Sequence, residues 1–236
     1  MIAAASPRLT ELQRLIDFSV QIRHSTTNDV VGTGIVVSEV GEILTCRHVL
    51  TLAGIEPLQA EVMTVGVVFP KTRTRSECCD RAAVVRFFPH HDDDIVVLQL
   101  QNPPVLSPTE IAVLGTIQDS EGNPFRSYGF RRLGESPSGY ATGEILGEVL
   151  PFDGKRLLVN PVELRSRDIR PGMSGAGVLD TERNLVVGLV ARRWNPGENS
   201  ANDNIAWAVD PLVLVDFADK LLDLLTPNSV PATENS

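Results

Sequence analysis

Three side chains in this sequence have the types and settings that acyl transfer requires. The first is Ser174, in the turn Gly172-Met173-Ser174-Gly175-Ala176-Gly177. Glycines on either side let the backbone turn sharply and leave the hydroxyl unshielded. A serine hydroxyl is a poor nucleophile until a neighbouring base removes its proton. Ser174 therefore needs a histidine and a carboxylate, each placed by its own framework. His48 is the candidate base, at the end of the apolar stretch Ile43-Leu44-Thr45 in the frame Thr45-Cys46-Arg47-His48. His24 sits in a polar turn, and His90 and His91 precede an acidic cluster. Asp94 is the candidate orienting carboxylate, directly before Ile95-Val96-Val97-Leu98, with Asp92 and Asp93 as rivals. Each pattern by itself has a bland reading: a serine in a glycine turn, a satisfied core histidine, a solvated acidic loop. The Gly-x-Ser-x-Gly elbow of α/β-hydrolases is not matched, because Ala176 stands where its second glycine belongs.

The elements that must position these groups are short strands. Ser19-Val20-Gln21-Ile22-Arg23 alternates with period two, Thr26 to Asp29 turns, and Val30 to Ser38 runs apolar, which predicts a hairpin. A turn at Val40-Gly41-Glu42 leads into a strand at 43–45. Further strands are expected at 60–69, 82–88, 94–100, 111–114, 125–130, 142–150, 156–160, 177–179, 185–192 and 204–209. So many short strands punctuated by Gly, Pro and Asn suggest a barrel or a sandwich. Asn102-Pro103-Pro104 through Ser107-Pro108 looks like a link between halves. Helical spacing is confined to the two ends: Leu9, Leu12, Leu15 and Ile16 predict a short helix over 8–16, and 211–225 predicts another with Pro211 in its first turn. Residues 226–236 are polar, with the composition of a linker or frayed end.

Taken together, Gly32-Thr33-Gly34-Ile35-Val36-Val37, Leu44-Thr45-Cys46-Arg47-His48-Val49-Leu50, Asp94-Ile95-Val96-Val97-Leu98, Gly172-Met173-Ser174-Gly175 and Ile205-Ala206-Trp207-Ala208-Val209 make the chain similar to the trypsin-like (chymotrypsin-fold) serine peptidases. The style is that of bacterial cytoplasmic and HtrA-like members, and the chain order His, Asp, Ser agrees. The resemblance implies an all-β fold of two six-stranded antiparallel barrels with short terminal helices. It divides the chain into an N-terminal helical extension (1–18), an N-terminal barrel (19–105), a C-terminal barrel with its terminal helix (106–225) and a flexible tail (226–236). It implies a serine endopeptidase in which Ser174 attacks, His48 shuttles the proton, Asp94 orients His48, and the backbone N–H groups of Gly172 and Ser174 form the oxyanion hole. No cofactor is implied, and the substrate would be a protein.

Two departures stand out. Secreted trypsins carry an Asp just before the nucleophile that binds a freed N-terminus, whereas here the position is Met173. Activation by N-terminal cleavage is therefore not expected, and an activating protein partner is the natural substitute, as in effectors of larger signalling or defence assemblies. In the specificity pocket, Asp168 falls at the floor and Ala191, Arg192 and Arg193 along the wall. Asp168 would favour Lys or Arg at the cleaved bond, unless Arg193 pairs with it and closes the pocket or Asp168 is structural. The second reading of the whole chain is a peptidase-like binding module without activity.

Bulk properties restrict the remaining classes. A net charge of −9 argues against non-specific nucleic-acid binding, which needs a basic surface. No run of apolar residues is long enough to span a bilayer, so no membrane association is expected. Cys46, Cys78 and Cys79 are odd in number, two of them adjacent, and make no disulfide framework. Secreted relatives carry a disulfide beside the histidine, and Cys46 has no evident partner. This, with an N-terminus unlike a signal peptide, predicts a reducing, cytoplasmic setting. No metal site is expected: the ligands in His90-His91-Asp92-Asp93-Asp94 are adjacent, and the cysteines lack Cys-x-x-Cys spacing.

Overall fold

The computed structural model describes residues 7–55, 64–71, 78–86, 94–130, 138–149, 162–193 and 204–211. Helix α1 (Pro7–Asp17) opens the described chain and buries Leu15 and, just past its end, Phe18. Six strands follow: β1 (Ser19–Arg23), β2 (Val30–Val36), β3 (Glu42–Thr45), β4 (Thr64–Phe69), β5 (Cys78–Arg86) and β6 (Val96–Leu100). They close in the order β1-β2-β3-β6-β5-β4, with β4 returning to β1 through Ile22 opposite Val67. Between β3 and β4 lies a short helix, α2 (Arg47–Leu52).

The second barrel is built from β7 (Pro124–Phe130), β8 (Ser138–Glu148), β9 (Val162–Arg165), β10 (Gly177–Asp180), β11 (Leu185–Arg193) and β12 (Ile205–Val209). It closes in the order β10-β11-β12-β9-β8-β7, all antiparallel, with Leu179 opposite Arg126 completing the ring. The fold is thus an all-β pair of closed six-stranded barrels. Alternation explains the placement of strands such as β12, where Ala206 and Ala208 point into the core. One apolar cluster runs from inside the first barrel (Ile22, Ile35, Ile43, Leu98) to Phe130, Leu179 and Leu189 of the second, so the barrels share a packed face. A second cluster fills the other barrel with Phe125, Ile145, Leu164, Val178 and Val187.

The segment between the barrels differs from expectation. Residues 111–114 form no strand, only a single parallel bridge between Leu114 and Val186. Their backbone bonds are divided: Ala112 N–H donates to Val36 O of β2, while Val186 N–H donates to Val113 O and Gly115 N–H to Val186 O. The segment laces the two barrels together and cannot pair along either. The helix over 8–16 is present and slightly longer. Strand β8 begins earlier than expected, and β9 at 162–165 had not been anticipated. The strand expected at 156–160, the C-terminal helix beyond Pro211 and the tail 226–236 lie outside the described residues.

Candidate active site

His48 is carried by α2, not by the end of a strand. Cys46, extended, caps this helix, and His48 is its second residue. The first N–H groups of a helix have no partner within it. Here Asp94 supplies one: its Oδ1 accepts the His48 backbone N–H at 2.9 Å, while its Oδ2 lies 2.6 Å from His48 Nδ1. A carboxylate only accepts, so Nδ1 carries the proton in this pair and Nε2 presents its lone pair. Asp94 itself is anchored at the entry to β6 by its carbonyl, which accepts the Arg47 N–H at 3.3 Å. Asp92 and Asp93 lie outside the described residues, as do His90 and His91.

Ser174 is carried by the turn leading into β10. Gly172 (φ 96°) and Gly175 (φ 85°) both occupy the left-handed region that side chains disfavour. At Gly175 space forbids a side chain as well: a Cβ would lie 1.9 Å from Thr33 O and 2.6 Å from Thr45 Oγ1. Within the turn, Met173 N–H donates to Arg170 O and Gly175 N–H to Val190 O. The amides of Gly172 and Ser174 meet no acceptor among the described residues. The Ser174 hydroxyl donates to Ala191 O at 3.2 Å. Met173 is fully buried in the second barrel's core, so the position preceding the serine is packing, not an ion-pair partner.

The two halves of the site are joined by Thr33 and Cys46, neither of which sequence reasoning gave a role in the site. Thr33 of β2 is fully buried. Its N–H donates to Ser174 O at 2.8 Å. Its hydroxyl donates to Gly172 O at 3.3 Å and accepts the Phe130 N–H at 3.0 Å. Its carbonyl accepts the Thr45 hydroxyl at 2.7 Å. Cys46, two residues before His48, directs its thiol to Val190 O at 3.4 Å, the same carbonyl that Gly175 N–H uses. Burial, and then the negative charge of Asp94, push the Cys46 thiol well above its usual pKa, only partly offset by the Gly175 N–H. It is a neutral thiol and no rival nucleophile. Ser174 and the segment that leads to His48 are therefore tied to the same two strands, β2 and β11.

The pocket residues fare differently. Asp168 Oδ2 accepts both the Thr142 N–H (3.2 Å) and the Thr142 hydroxyl (2.9 Å). Its own N–H donates to Ser166 Oγ at 3.1 Å. The carboxylate thus fastens its loop to β8. Ala191 is buried within β11 beside Ser174. The backbones of Arg192 and Arg193 continue β11 opposite Trp207 and Ala206, and their side chains lie outside the described residues.

Residues 32–189 match the family model of the trypsin-like peptidase domain. No curated protein sequence matches the chain. Among solved structures the fold is similar to that of Deg5, with a TM-score of 0.65 and 18% identity over 89% of this chain and 90% of that one. It is similar to Rv3671c from M. tuberculosis, solved as an inactive-form mutant, with a TM-score of 0.62 and 17% identity over 96% and 98% of the two chains. It also resembles the HtrA-type protease AlgW, solved with a tripeptide, at a TM-score of 0.64 and 16% identity over 93% of this chain and 64% of AlgW.

Proposed function

The chain belongs to the trypsin-like peptidase domain family, and from that membership we propose that it is a serine endopeptidase working through Ser174, His48 and Asp94. Nε2 of His48 takes the Ser174 proton as the hydroxyl oxygen attacks a peptide carbonyl. The charge that develops on that carbonyl oxygen is met by the Gly172 and Ser174 N–H groups. His48 then returns the proton to the departing amine, and water resolves the acyl-enzyme by the same route. The observation that carries this reading is the double grip of Asp94 on His48, which fixes both the ring's position and its tautomer. The buried thiol of Cys46, which is not in a disulfide, supports a reducing compartment.

The test is labelling by a fluorophosphonate together with hydrolysis of a protein substrate. Ser174→Ala should abolish labelling and lower kcat by roughly 10⁶-fold. A parent protein that never labels, yet binds a partner tightly, would make it a docking module and overturn the proposal.

A second reading, a peptidase held latent until a protein partner orders it, is favoured by one observation. The Ser174 hydroxyl is bonded to Ala191 O, and attack requires it to turn to the imidazole. For cleavage specificity, the bonds from Thr142 to Asp168 support a structural role for that carboxylate over a preference for Lys or Arg.

A further inference from the structure

Behind the His48–Asp94 pair stands a third donor. Cys46 Sγ, a His48 ring nitrogen and an Asp94 carboxylate oxygen all lie within 4.8 Å of one another. The reaction described above uses no thiol at this place. One sulfur, one imidazole nitrogen and one carboxylate oxygen are a donor set suited to a borderline divalent cation. Bonds of about 2.0–2.3 Å to such an ion put tetrahedral donors roughly 3.4–3.6 Å apart. The three donors are within reach of that geometry: Nδ1 and Oδ2, now at 2.6 Å, would open to admit the ion, and the sulfur lies no more than 4.8 Å from either partner. His48 is 38% exposed and gives the ion a way in from solvent, with a coordination position left for water. The thiol's hydrogen bond to a carbonyl, Val190 O at 3.4 Å, is one that a metal-bound thiolate would give up.

We propose that Cys46, His48 Nδ1 and Asp94 form an inhibitory site for Zn²⁺ or a cation of similar softness. The ion takes the place of the proton between Nδ1 and Oδ2. That imidazole proton moves to Nε2, and the thiol proton leaves to solvent. The site is then charge-balanced, two positive charges against one carboxylate and one thiolate, which suits a position beside a buried sulfur. With its proton on Nε2, the ring has no lone pair for the Ser174 hydroxyl, so the ion silences the site without touching the serine. The sequence offered no such cluster, because Asp94 lies 46 residues beyond His48 and only the fold brings it back to Cys46.

The inhibitory part rests on the triad reading above; binding of the ion does not. Two measurements on the full chain keep them apart. Titration with Cd²⁺ should raise the ultraviolet thiolate-to-metal charge-transfer band in the parent, and Cys46→Ser should abolish that increment even with Cys78 and Cys79 intact. Persistence of the full band in Cys46→Ser, or its absence from the parent, overturns the site. In parallel, Zn²⁺ should suppress fluorophosphonate labelling of the parent and EDTA should restore it. Measured against its own zinc-free labelling rate, each of Cys46→Ser and Cys46→Ala should need at least about tenfold more zinc for the same fractional suppression, a difference of roughly 1.4 kcal/mol in binding. Equal sensitivity of parent and variants overturns the inhibitory role. Thermal melts of both variants identify any loss that comes from unfolding.

Discussion

Asp94 holds His48 by two different parts at once, Oδ1 on the backbone N–H at 2.9 Å and Oδ2 on ring Nδ1 at 2.6 Å. Asp94→Asn separates the two functions. The amide oxygen can still accept the backbone N–H, but the NH₂ group facing Nδ1 donates and forces the proton onto Nε2. The fold should survive, with a melting temperature close to that of the parent, while kcat falls by about 10⁴-fold. Activity within tenfold of the parent would mean that Asp94 does not set the tautomer.

Thr33 holds the turn that carries Ser174. Thr33→Val removes the hydroxyl that bridges Phe130 N–H and Gly172 O and leaves both buried groups unpaired. Denaturant titration should show a loss of about 1–3 kcal/mol. With Gly172 released, kcat should fall by up to about 10²-fold while KM changes little, because the oxyanion donors act mainly in the transition state. Thr33→Ser keeps the hydroxyl and should recover kcat. A Val variant with parental kcat would show that Thr33 supports stability alone.

Gly175 is a point of close approach between the barrels. An alanine there meets the Thr33 carbonyl oxygen at 1.9 Å and must also hold φ near 85°. The dihedral costs about 1–2 kcal/mol and the collision adds to it. We expect Gly175→Ala to lose at least about 4 kcal/mol, or to express as insoluble protein. Chemical denaturation beside the parent decides it; a parental midpoint would mean that the seam can part without cost.

Asp180, fully buried at the end of β10, is expected to make the second barrel sensitive to acid. Burial pushes its pKa up, but hydrogen bonds from Asn123, Ser120 and the backbone N–H groups of Arg183 and Glu182 outweigh it and leave the pKa below the ordinary 3.8. A folded-state pKa below the unfolded one means stability that is complete above 3.8 and lost as pH falls through the lowered value. Asp180→Asn should therefore be less stable than the parent at neutral pH and lose less on acidification. Urea midpoints measured at neutral pH and below pH 3.8 test this; parallel curves for the two proteins would remove Asp180 from the account.

The sequence carried the three candidate side chains because each sits in a local frame a reader can see: His48 just after one apolar strand, Asp94 just before another, and Ser174 in a glycine turn that leads into a third. It carried most strands for the same reason, since alternation is local. Thr33 and Cys46 were not legible as site residues. Each looks like an ordinary member of an apolar stretch, and its importance lies in partners more than a hundred positions away, Gly172 for one and Val190 for the other. The segment 111–114 misled because apolar residues that lace two barrels together have the composition of residues that form a strand. Asp168 could be placed by counting, but only coordinates reveal that Thr142 occupies its carboxylate.

The imidazole and the hydroxyl belong to different closed cylinders, each with its own interior. Small relative slippage of the cylinders would disconnect proton donor from acceptor while every strand stayed paired. The lacing segment, bonded to Val36 on one side and to Val186 on the other, is one of the ties that hold the two cylinders in line.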